Sequence, residues 1–275
     1  MGQKLLRDLF ILLAAFGAIW SFFYFFPVFP DEEIFEISIE NEEQLGELVV
    51  EELLGNEPDF AELNNPTLDS ALKMICDRLL QQVELTDYDF HIKIVDNEMV
   101  NAVTLPGGHI FVFKGLIEFS EHPEEVAAVL AHEIGHVQKR HVVKKLVKEL
   151  GLAIITGVIT GGDPVLITEV SRSALSTFFD RKQESEADRY ALKLLEKSNI
   201  SPTAMAAFFR RLKQQNGINH ESLEILSTHP HTNSRIKASL EYKTHEGFEA
   251  KKFEFDWDKV RDSLYASNEF ESPDE

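Results

Sequence analysis

Cysteine is almost absent from this 275-residue chain, in which Cys76 stands alone. A single cysteine excludes an internal disulfide framework and any metal cluster built from cysteine alone. Basic residues are also scarce, with 27 Lys and Arg against 47 Asp and Glu, so the formal net charge is −20. This charge argues against nucleic acid as a partner, because phosphate binding requires a basic surface.

Basic side chains are missing altogether from residues 30–72, a stretch that holds 14 acidic ones. Residues 73–240, by contrast, hold 20 basic and 21 acidic residues. The acidity therefore belongs to the flanks of a near-neutral body, which is long enough for one domain with a sizeable core. We predict an acidic linker at 30–66, a folded domain at 67–240 and an acidic tail at 241–275.

Charges of either sign are missing from Leu9 to Phe29. At about 1.5 Å per residue, a helix over this run is about 31 Å long, which matches a bilayer core of about 30 Å. The run ends in phenylalanines, so a signal peptidase finds no small residues to cleave after. The sequence predicts a transmembrane anchor at 9–29 after a short cytoplasmic segment at 1–8.

The few basic residues near this run predict its orientation. Lys4 and Arg7 precede the run, and no basic residue follows it until Lys73. The positive-inside rule then places the N-terminus in the cytoplasm and the rest of the chain across the membrane, in a periplasm-like or intermembrane space.

Hydrophobic periodicity predicts an α+β domain that is mostly helical. Segments 90–95, 101–105 and 109–113 are rich in β-branched and aromatic residues, so we expect three strands in a small antiparallel sheet. From residue 123 onward the pattern is helical. Glycines interrupt the apolar run 150–167, which is interpreted as a helix and a break rather than a second membrane span.

Apolar residues also pattern the two flanks. In the linker, helical spacing predicts a short helix with Leu45, Leu48, Val49 and Leu53 on one side. In the tail, aromatic residues alternate at Phe253, Phe255 and Trp257, which suggests that the tail docks on the body.

The segment His132-Glu133-Ile134-Gly135-His136 has the residues of a metal centre. Pro123 and the two glutamates after it mark the start of the helix on which the segment lies. Because His132 and His136 are four residues apart, their rings can reach one zinc ion from neighbouring turns. Glu133 is then placed to take a proton from the attacking water. The alternative is a pair of surface histidines on an amphipathic helix.

A catalytic zinc site needs a third protein ligand and one open position. Glu184 is the candidate, since it and Asp188 are four residues apart and share one face of a second helix. One carboxylate could bind the metal while the other holds a ligating histidine ring. Ala187 and Ala191 beside them indicate a close approach of two helices.

Two other residues of metal-binding type receive structural interpretations. His141 lies five residues after His136, and Lys139 stands where metzincins have glycine, so we interpret His141 as a surface histidine. Cys76 lacks the glycine-containing motif of deformylases, and its position on an amphipathic helix near 67–83 predicts a place in the core.

The sequence resembles the membrane-associated zinc peptidases that include HtpX, BepA and the CAAX prenyl proteases. The resemblance spans about residues 65–240 and rests on the segments 101–112, 132–136, 184–188 and 228–236. The single predicted anchor makes the chain most similar to the BepA and Oma-type branch. The resemblance implies a gluzincin-type peptidase domain.

Carried over by position, the resemblance implies one zinc ion per chain, held by His132, His136 and Glu184, with Glu133 as general base. Asp188 matches the family's second acid, which is sometimes assigned as a proton donor. We favour the role of orienting a ligating histidine.

Two further residues match the family's His-Pro…Arg segment. His229 matches a histidine that can fill the fourth zinc position and keep BepA-type enzymes latent, and that is elsewhere interpreted as an oxyanion stabiliser. Arg235 either supports the developing oxyanion or pairs with an acidic neighbour.

The resemblance implies a membrane-anchored zinc endopeptidase that cleaves unfolded or misassembled membrane or envelope proteins. An extended substrate is expected to add along an edge strand beside the zinc helix, here at His109, Ile110, Phe111 and Val112. Zinc would polarise the scissile carbonyl while Glu133 activates water. The alternative is a zinc-stabilised chaperone or interaction module with an idle or latent peptidase site.

Overall fold

A computed structural model describes residues 2–25, 37–84, 88–176, 179–215, 225, 229 and 232–266. The chain forms two compact units, Met1–Ile37 and Ser38–Glu275. In the first unit the described part is helix α1, Gly2–Phe25.

Helix α1 presents large apolar side chains at its surface. Each of the following is more than half exposed: Leu9, Phe10, Ile11, Leu12, Leu13, Phe16, Trp20 and Phe22. Within the described residues, no helix has both the length and the apolar character that a membrane span requires. The last four residues of the anchor predicted at 9–29, residues 26–29, lie outside the described part.

The second unit contains three strands and a series of α-helices whose bounds lie among its described residues. In chain order they are α2 Ile39–Asn56, α3 Pro66–Leu80, β1 His91–Val95, β2 Ala102–Thr104, β3 His109–Phe113, α4 Lys114–Phe119, α5 Pro123–Gln138, α6 His141–Leu150, α7 Leu152–Gly161, α8 Pro164–Leu175, α9 Arg181–Lys197, α10 Thr203–Gln215, α11 Thr232–Glu241 and α12 Trp257–Ala266. The predicted mostly helical α+β class is confirmed.

Helix α2 packs on the body, although the sequence places it in a linker. Leu45, Val49 and Leu53 are buried on its inner face, as their spacing predicts. At Gly46 the helix lies so close to the turn before β3 that a Cβ atom would stand 2.3 Å from the carbonyl oxygen of Pro106. The compact unit therefore begins at Ser38 and not at residue 67.

The three strands form one sheet in the order β1-β3-β2. β1 runs parallel to β3, with His91 opposite His109, and β2 runs antiparallel to β3, with Ala102 opposite Val112. The predicted strands are present, but the sheet is mixed and the wholly antiparallel pairing is wrong. All five side chains of β3 are buried, which fits a central strand because both of its faces are covered.

The prediction that β3 is an edge strand is wrong, and the two real edges differ from each other. The outer edge of β1 is partly covered, since the backbone N–H of Leu63 donates to the carbonyl of Ile94 at 2.9 Å. Along β2, the backbone N–H of Leu105 donates to the carbonyl of His109 at 2.9 Å, so the backbone groups of the odd-numbered residues point toward β3. The backbone groups of Ala102 and Thr104 point toward the opposite edge, because antiparallel pairing alternates.

Helices α5 and α9 pack closely through small residues. Ala187 and Ala191 are fully buried, as the sequence predicts. Opposite them, a Cβ atom on Gly135 would lie 3.0 Å from the carbonyl oxygen of Ala187. Glycine at this position thus sets the separation of the two helices.

The N-terminus of α5 is attached to α10 by a buried ion pair. Arg211 donates to both carboxylate oxygens of Glu125, at 2.5 and 2.8 Å, and Glu125 is 1% exposed. Arg211 also donates to Glu121 at 2.7 Å. The glutamate that the sequence marks only as a helix-start residue is therefore a tertiary contact.

The remaining segments follow their predictions closely. The run 150–167 forms helices separated at Gly151 and Gly162, which both have positive φ. The tail docks on the body, where the indole N–H of Trp257 donates to the carbonyl of Ser120 at 2.8 Å. Cys76 is buried in the core, and burial raises the pKa of its thiol to about 12.

Candidate metal centre

Two central helices supply most of the site. Pro123 starts α5 at a position where its missing N–H costs nothing, and nearly every residue from there to Val137 is buried. Asp180 caps α9 by accepting from the backbone N–H of Gln183 at 2.9 Å, and the glutamine side chain returns the contact. The capped first turn of α9 places Glu184 against α5.

Four buried side chains converge between these helices: His132 and His136 of α5, Glu184 of α9, and His229. Their ligand-type atoms all lie within 4.8 Å of one another. His132 Nε2 is 3.0 Å from His136 Nε2 and 3.3 Å from His229 Nδ1. Glu184 Oε1 is 3.5 Å from His136 Nε2 and 2.8 Å from His229 Nδ1.

These separations suit a tetrahedral zinc site. With metal–ligand bonds of about 2.0–2.1 Å, the ligand atoms of such a site are about 3.3 Å apart. The donor set of imidazole nitrogens and one carboxylate is also typical of zinc. Glu184 Oε2 is buried and has no hydrogen-bond partner among the described residues, and it lies 3.6 Å from His132 Nε2 and 3.4 Å from Arg235 Nη1.

Charge and burial oppose each other at these residues. Burial alone would raise the pKa of Glu184, but the adjacent His229 and His132 outweigh it and hold the pKa well below its usual range. Burial lowers the pKa of His136 well below its ordinary value. A deprotonated carboxylate and a neutral imidazole are the forms that bind a metal.

Asp188 lies behind His132. Its Oδ1 is 3.0 Å from His132 Nδ1, on the side of the ring away from the ligand cluster. Burial would raise the pKa of Asp188, but Arg235 and His132 lower it. This geometry supports the orienting role that the sequence analysis favours over proton donation.

Arg235 pairs with this acid. Its Nε donates to both carboxylate oxygens of Asp188 at 2.9 and 3.1 Å, and its Nη2 donates at 2.7 Å. The guanidinium lies 4.2 Å from the centre of the Phe209 ring and is 3% exposed. Of the two roles considered for Arg235, the contacts favour pairing with an acidic neighbour.

Glu133 lies beside the cluster, and a residue of the sheet holds its side chain. Thr104 of β2 donates its hydroxyl to Glu133 Oε2 at 2.7 Å. The other oxygen, Oε1, is buried, has no hydrogen-bond partner among the described residues, and lies 3.7 Å from His229 Nε2. Sequence reasoning placed Thr104 in a matching segment but gave it no function, because nothing in the local pattern reveals its contact with α5.

His141 is not the surface histidine that its spacing suggests. It is 2% exposed, and its Nδ1 lies 2.9 Å from Nδ1 of His136. The reason is a break in the helix: α5 ends at Gln138, Arg140 adopts a positive φ of 55°, and α6 folds back toward His136. Phe179, which sequence reasoning also missed, stacks on His136 with 3.9 Å between ring centres.

The residues predicted to bind substrate lie in the middle of the sheet. Ile110, Phe111 and Val112 are fully buried, and β3 is hydrogen-bonded on both sides, so no further strand can add there. His109 stacks on His91 with 4.8 Å between ring centres, and burial lowers its pKa to about 4. The four residues therefore do not form an edge to which a substrate strand could add, contrary to the prediction from the sequence.

Comparison with known proteins adds sequence relatives to this geometry. The profile described as Peptidase family M48 matches residues 66–243. The beta-barrel assembly-enhancing protease of Escherichia coli is 28% identical over 213 residues, which cover 73% of this chain and 43% of that protein. The chain thus corresponds to less than half of that relative's length.

Mitochondrial relatives match as well. The mitochondrial metalloendopeptidase OMA1 of Arabidopsis thaliana is 35% identical over 155 residues, covering 56% of this chain and 31% of that protein. The protein of the same name from Schizosaccharomyces pombe is 24% identical over 246 residues, covering 87% of this chain and 73% of that protein.

Proposed function

The chain belongs to peptidase family M48, and on this basis we propose that it is a membrane-associated zinc endopeptidase that cleaves unfolded or misassembled membrane or envelope proteins. The supporting observation is the tetrahedral spacing of His132, His136 and Glu184, with Glu133 beside them. The names of its relatives, a beta-barrel assembly-enhancing protease and mitochondrial metalloendopeptidases, support a proteolytic role.

Zinc content tests the metal directly. We expect the purified full-length chain to contain one zinc ion, and removal of zinc by a chelator to abolish casein cleavage because the site then lacks its Lewis acid. Elemental analysis and a casein assay measure the two quantities. Cleavage that persists in protein free of metal would contradict the proposal.

Glu133 performs the proton transfer in this proposal. Zinc held by the three ligands supplies a Lewis acid at the scissile carbonyl. Glu133 accepts the proton of the attacking water at Oε1, the oxygen without a hydrogen-bond partner among the described residues. Thr104 holds the opposite oxygen, which fixes the orientation of the carboxylate.

The edge of β2 is the proposed place of the substrate backbone. Thr104 and the carbonyl of Ala102 direct their backbone groups to this edge, where the Ala102 N–H donates to Asn101 Oδ1 at 3.0 Å, and β2 packs against α5. An extended polypeptide that adds there gains backbone hydrogen bonds without strict sequence demands. Selection of substrates by their unfolded state follows from this mode of binding.

Membrane association is proposed through α1. Its exposed apolar side chains favour transfer to an apolar phase. Lys4 and Arg7 near its start favour a cytoplasmic N-terminus, with the catalytic unit on the far side of the membrane.

His229 is proposed to act as a latch and to fill the fourth zinc position, because its Nδ1 lies 3.3 Å from His132 Nε2 and 2.8 Å from Glu184 Oε1. A catalytic zinc site keeps that position open. We expect His229→Ala to raise the basal rate of casein cleavage several-fold while the other three ligands retain zinc. Initial rates at equal zinc content measure the effect.

The matched control is His245→Ala, which removes an exposed histidine paired with Glu196 at the other end of α9. Its basal rate should equal that of the wild type. A rate that falls in His229→Ala would contradict the latch and support the oxyanion role.

A further inference from the structure

The nitrogen of His136 that points away from the ligand cluster requires an acceptor. Nε2 faces His132 and Glu184, so Nε2 is the atom available to a metal. A neutral imidazole that ligates through Nε2 carries its proton on Nδ1. Because His136 is 0% exposed, bulk solvent does not reach this nitrogen, and its acceptor must lie inside the fold.

His141 supplies that acceptor. Its Nδ1 lies 2.9 Å from Nδ1 of His136, and both rings are buried. If Nδ1 of His141 accepts, its own proton is on Nε2, which lies 3.3 Å from Glu186 Oε2. The first contact therefore fixes the tautomer of His136, and the second fixes that of His141. Glu186 is the last residue of the series, and 34% of its side chain is exposed at the surface.

We propose that His141 and Glu186 are positioning residues that hold His136 in its metal-binding tautomer and orientation through a relay of two hydrogen bonds. The inference rests on the proposed function, since it concerns the metal ligand of that site. Neither residue supplies a ligand-type atom to the cluster. Both act through His136.

The relay explains a difference between the two histidine ligands. His132 has a carboxylate directly behind it, with Asp188 Oδ1 at 3.0 Å from its Nδ1. His136 has no carboxylate at that distance among the described residues, and its second nitrogen reaches one only through His141. Helix α9 therefore supports both ligating rings, through Asp188 and through Glu186.

The relay is tested by zinc affinity, measured by competition with a chromophoric chelator. We expect His141→Ala to weaken zinc binding by about 10- to 100-fold, the usual effect of removing a partner of a metal ligand. His141→Asn should recover most of this loss, because its Oδ1 stands where Nδ1 stood and still accepts the proton of His136. The d–d spectrum of the cobalt-substituted protein should shift in His141→Ala and return toward the wild-type spectrum in His141→Asn.

Glu186→Ala provides a second variant at a partly exposed position, where substitution leaves the core intact. It should weaken zinc binding by a smaller factor, about 3- to 10-fold, because the first hydrogen bond of the relay remains. His245→Ala is the matched control, since it removes a histidine that pairs with Glu196 of the same helix α9, and it should leave zinc affinity unchanged.

The outcomes separate this inference from the proposed function. If the wild-type protein binds zinc and a folded His141→Ala variant binds zinc with equal affinity, the relay is overturned and the proposed function stands. An affinity that falls equally in His141→Asn and His141→Ala overturns the role of the Nδ1 acceptor. Wild-type protein that binds no zinc overturns the proposed function and the relay with it.

Discussion

Glu133→Gln is expected to lower casein cleavage by about 10²- to 10⁴-fold, the usual contribution of a general base. The amide keeps the shape of the carboxylate and can still accept from Thr104, so the site should retain its geometry. Its zinc content should stay at one ion per chain, because Glu133 lies beside the ligand cluster and is not one of its four members. The loss of casein cleavage should appear in kcat, with the zinc occupancy unchanged.

Glu124→Gln is the matched control, since it makes the same chemical change on the same helix, nine residues before Glu133. Its activity should equal that of the wild type. Full residual activity in Glu133→Gln would contradict the peptidase assignment.

A Glu133→Gln variant that fully complements a deletion strain would instead support the chaperone alternative. In that case binding of the polypeptide, and not its cleavage, would be the function that the cell requires.

Arg211→Met is expected to lower the free energy of unfolding by about 3–5 kcal/mol, because it leaves a buried carboxylate without its counter-charge. Glu125 is 1% exposed and receives two hydrogen bonds from Arg211. Methionine preserves most of the apolar stem of arginine, so the loss reflects the charge more than the packing. Urea denaturation followed by circular dichroism measures the change.

Two controls separate the ion pair from general damage to α10. Arg210→Met changes the neighbouring exposed arginine and should alter stability by less than about 0.5 kcal/mol. The double variant Glu125→Met, Arg211→Met should recover much of the loss, because it removes both charges together. A double variant no more stable than Arg211→Met would show that the pairing is not the cause.

The metal centre could be predicted from the sequence because its signals are local. The spacing of His132 and His136 and that of Glu184 and Asp188 each describe one face of one helix, and the structure brings them together. The close contact of α5 and α9 was also predictable, since Ala187 and Ala191 leave room for a second helix.

The order of the strands could not be obtained in the same way. Periodicity identifies a strand and its buried face, but hydrogen-bond pairing depends on how the chain returns in space. The apolar composition of 109–113 indicates burial on both faces, which is the property of a central strand.

His141 shows a second limit of spacing arguments. On one continuous helix, five residues turn the side chain about 140° away from that of His136, at 100° per residue. The left-handed conformation of Arg140 ends this relation and starts a new helix in another direction. The contact of Glu125 is likewise beyond a spacing argument, because its partner Arg211 is 86 positions away in the sequence.

The contact of Gly135 with Ala187 would couple uptake of the proposed metal to folding. Two of the ligands lie on α5 and a third on α9, so the ligand set exists only while these helices are in contact. Any ligand that binds the folded state alone stabilises it by mass action, by about 2.7 kcal/mol at a concentration 100 times its Kd. The lifetime of this chain in the cell would then follow the free zinc concentration, and zinc starvation would reduce its abundance before it reduced its specific activity.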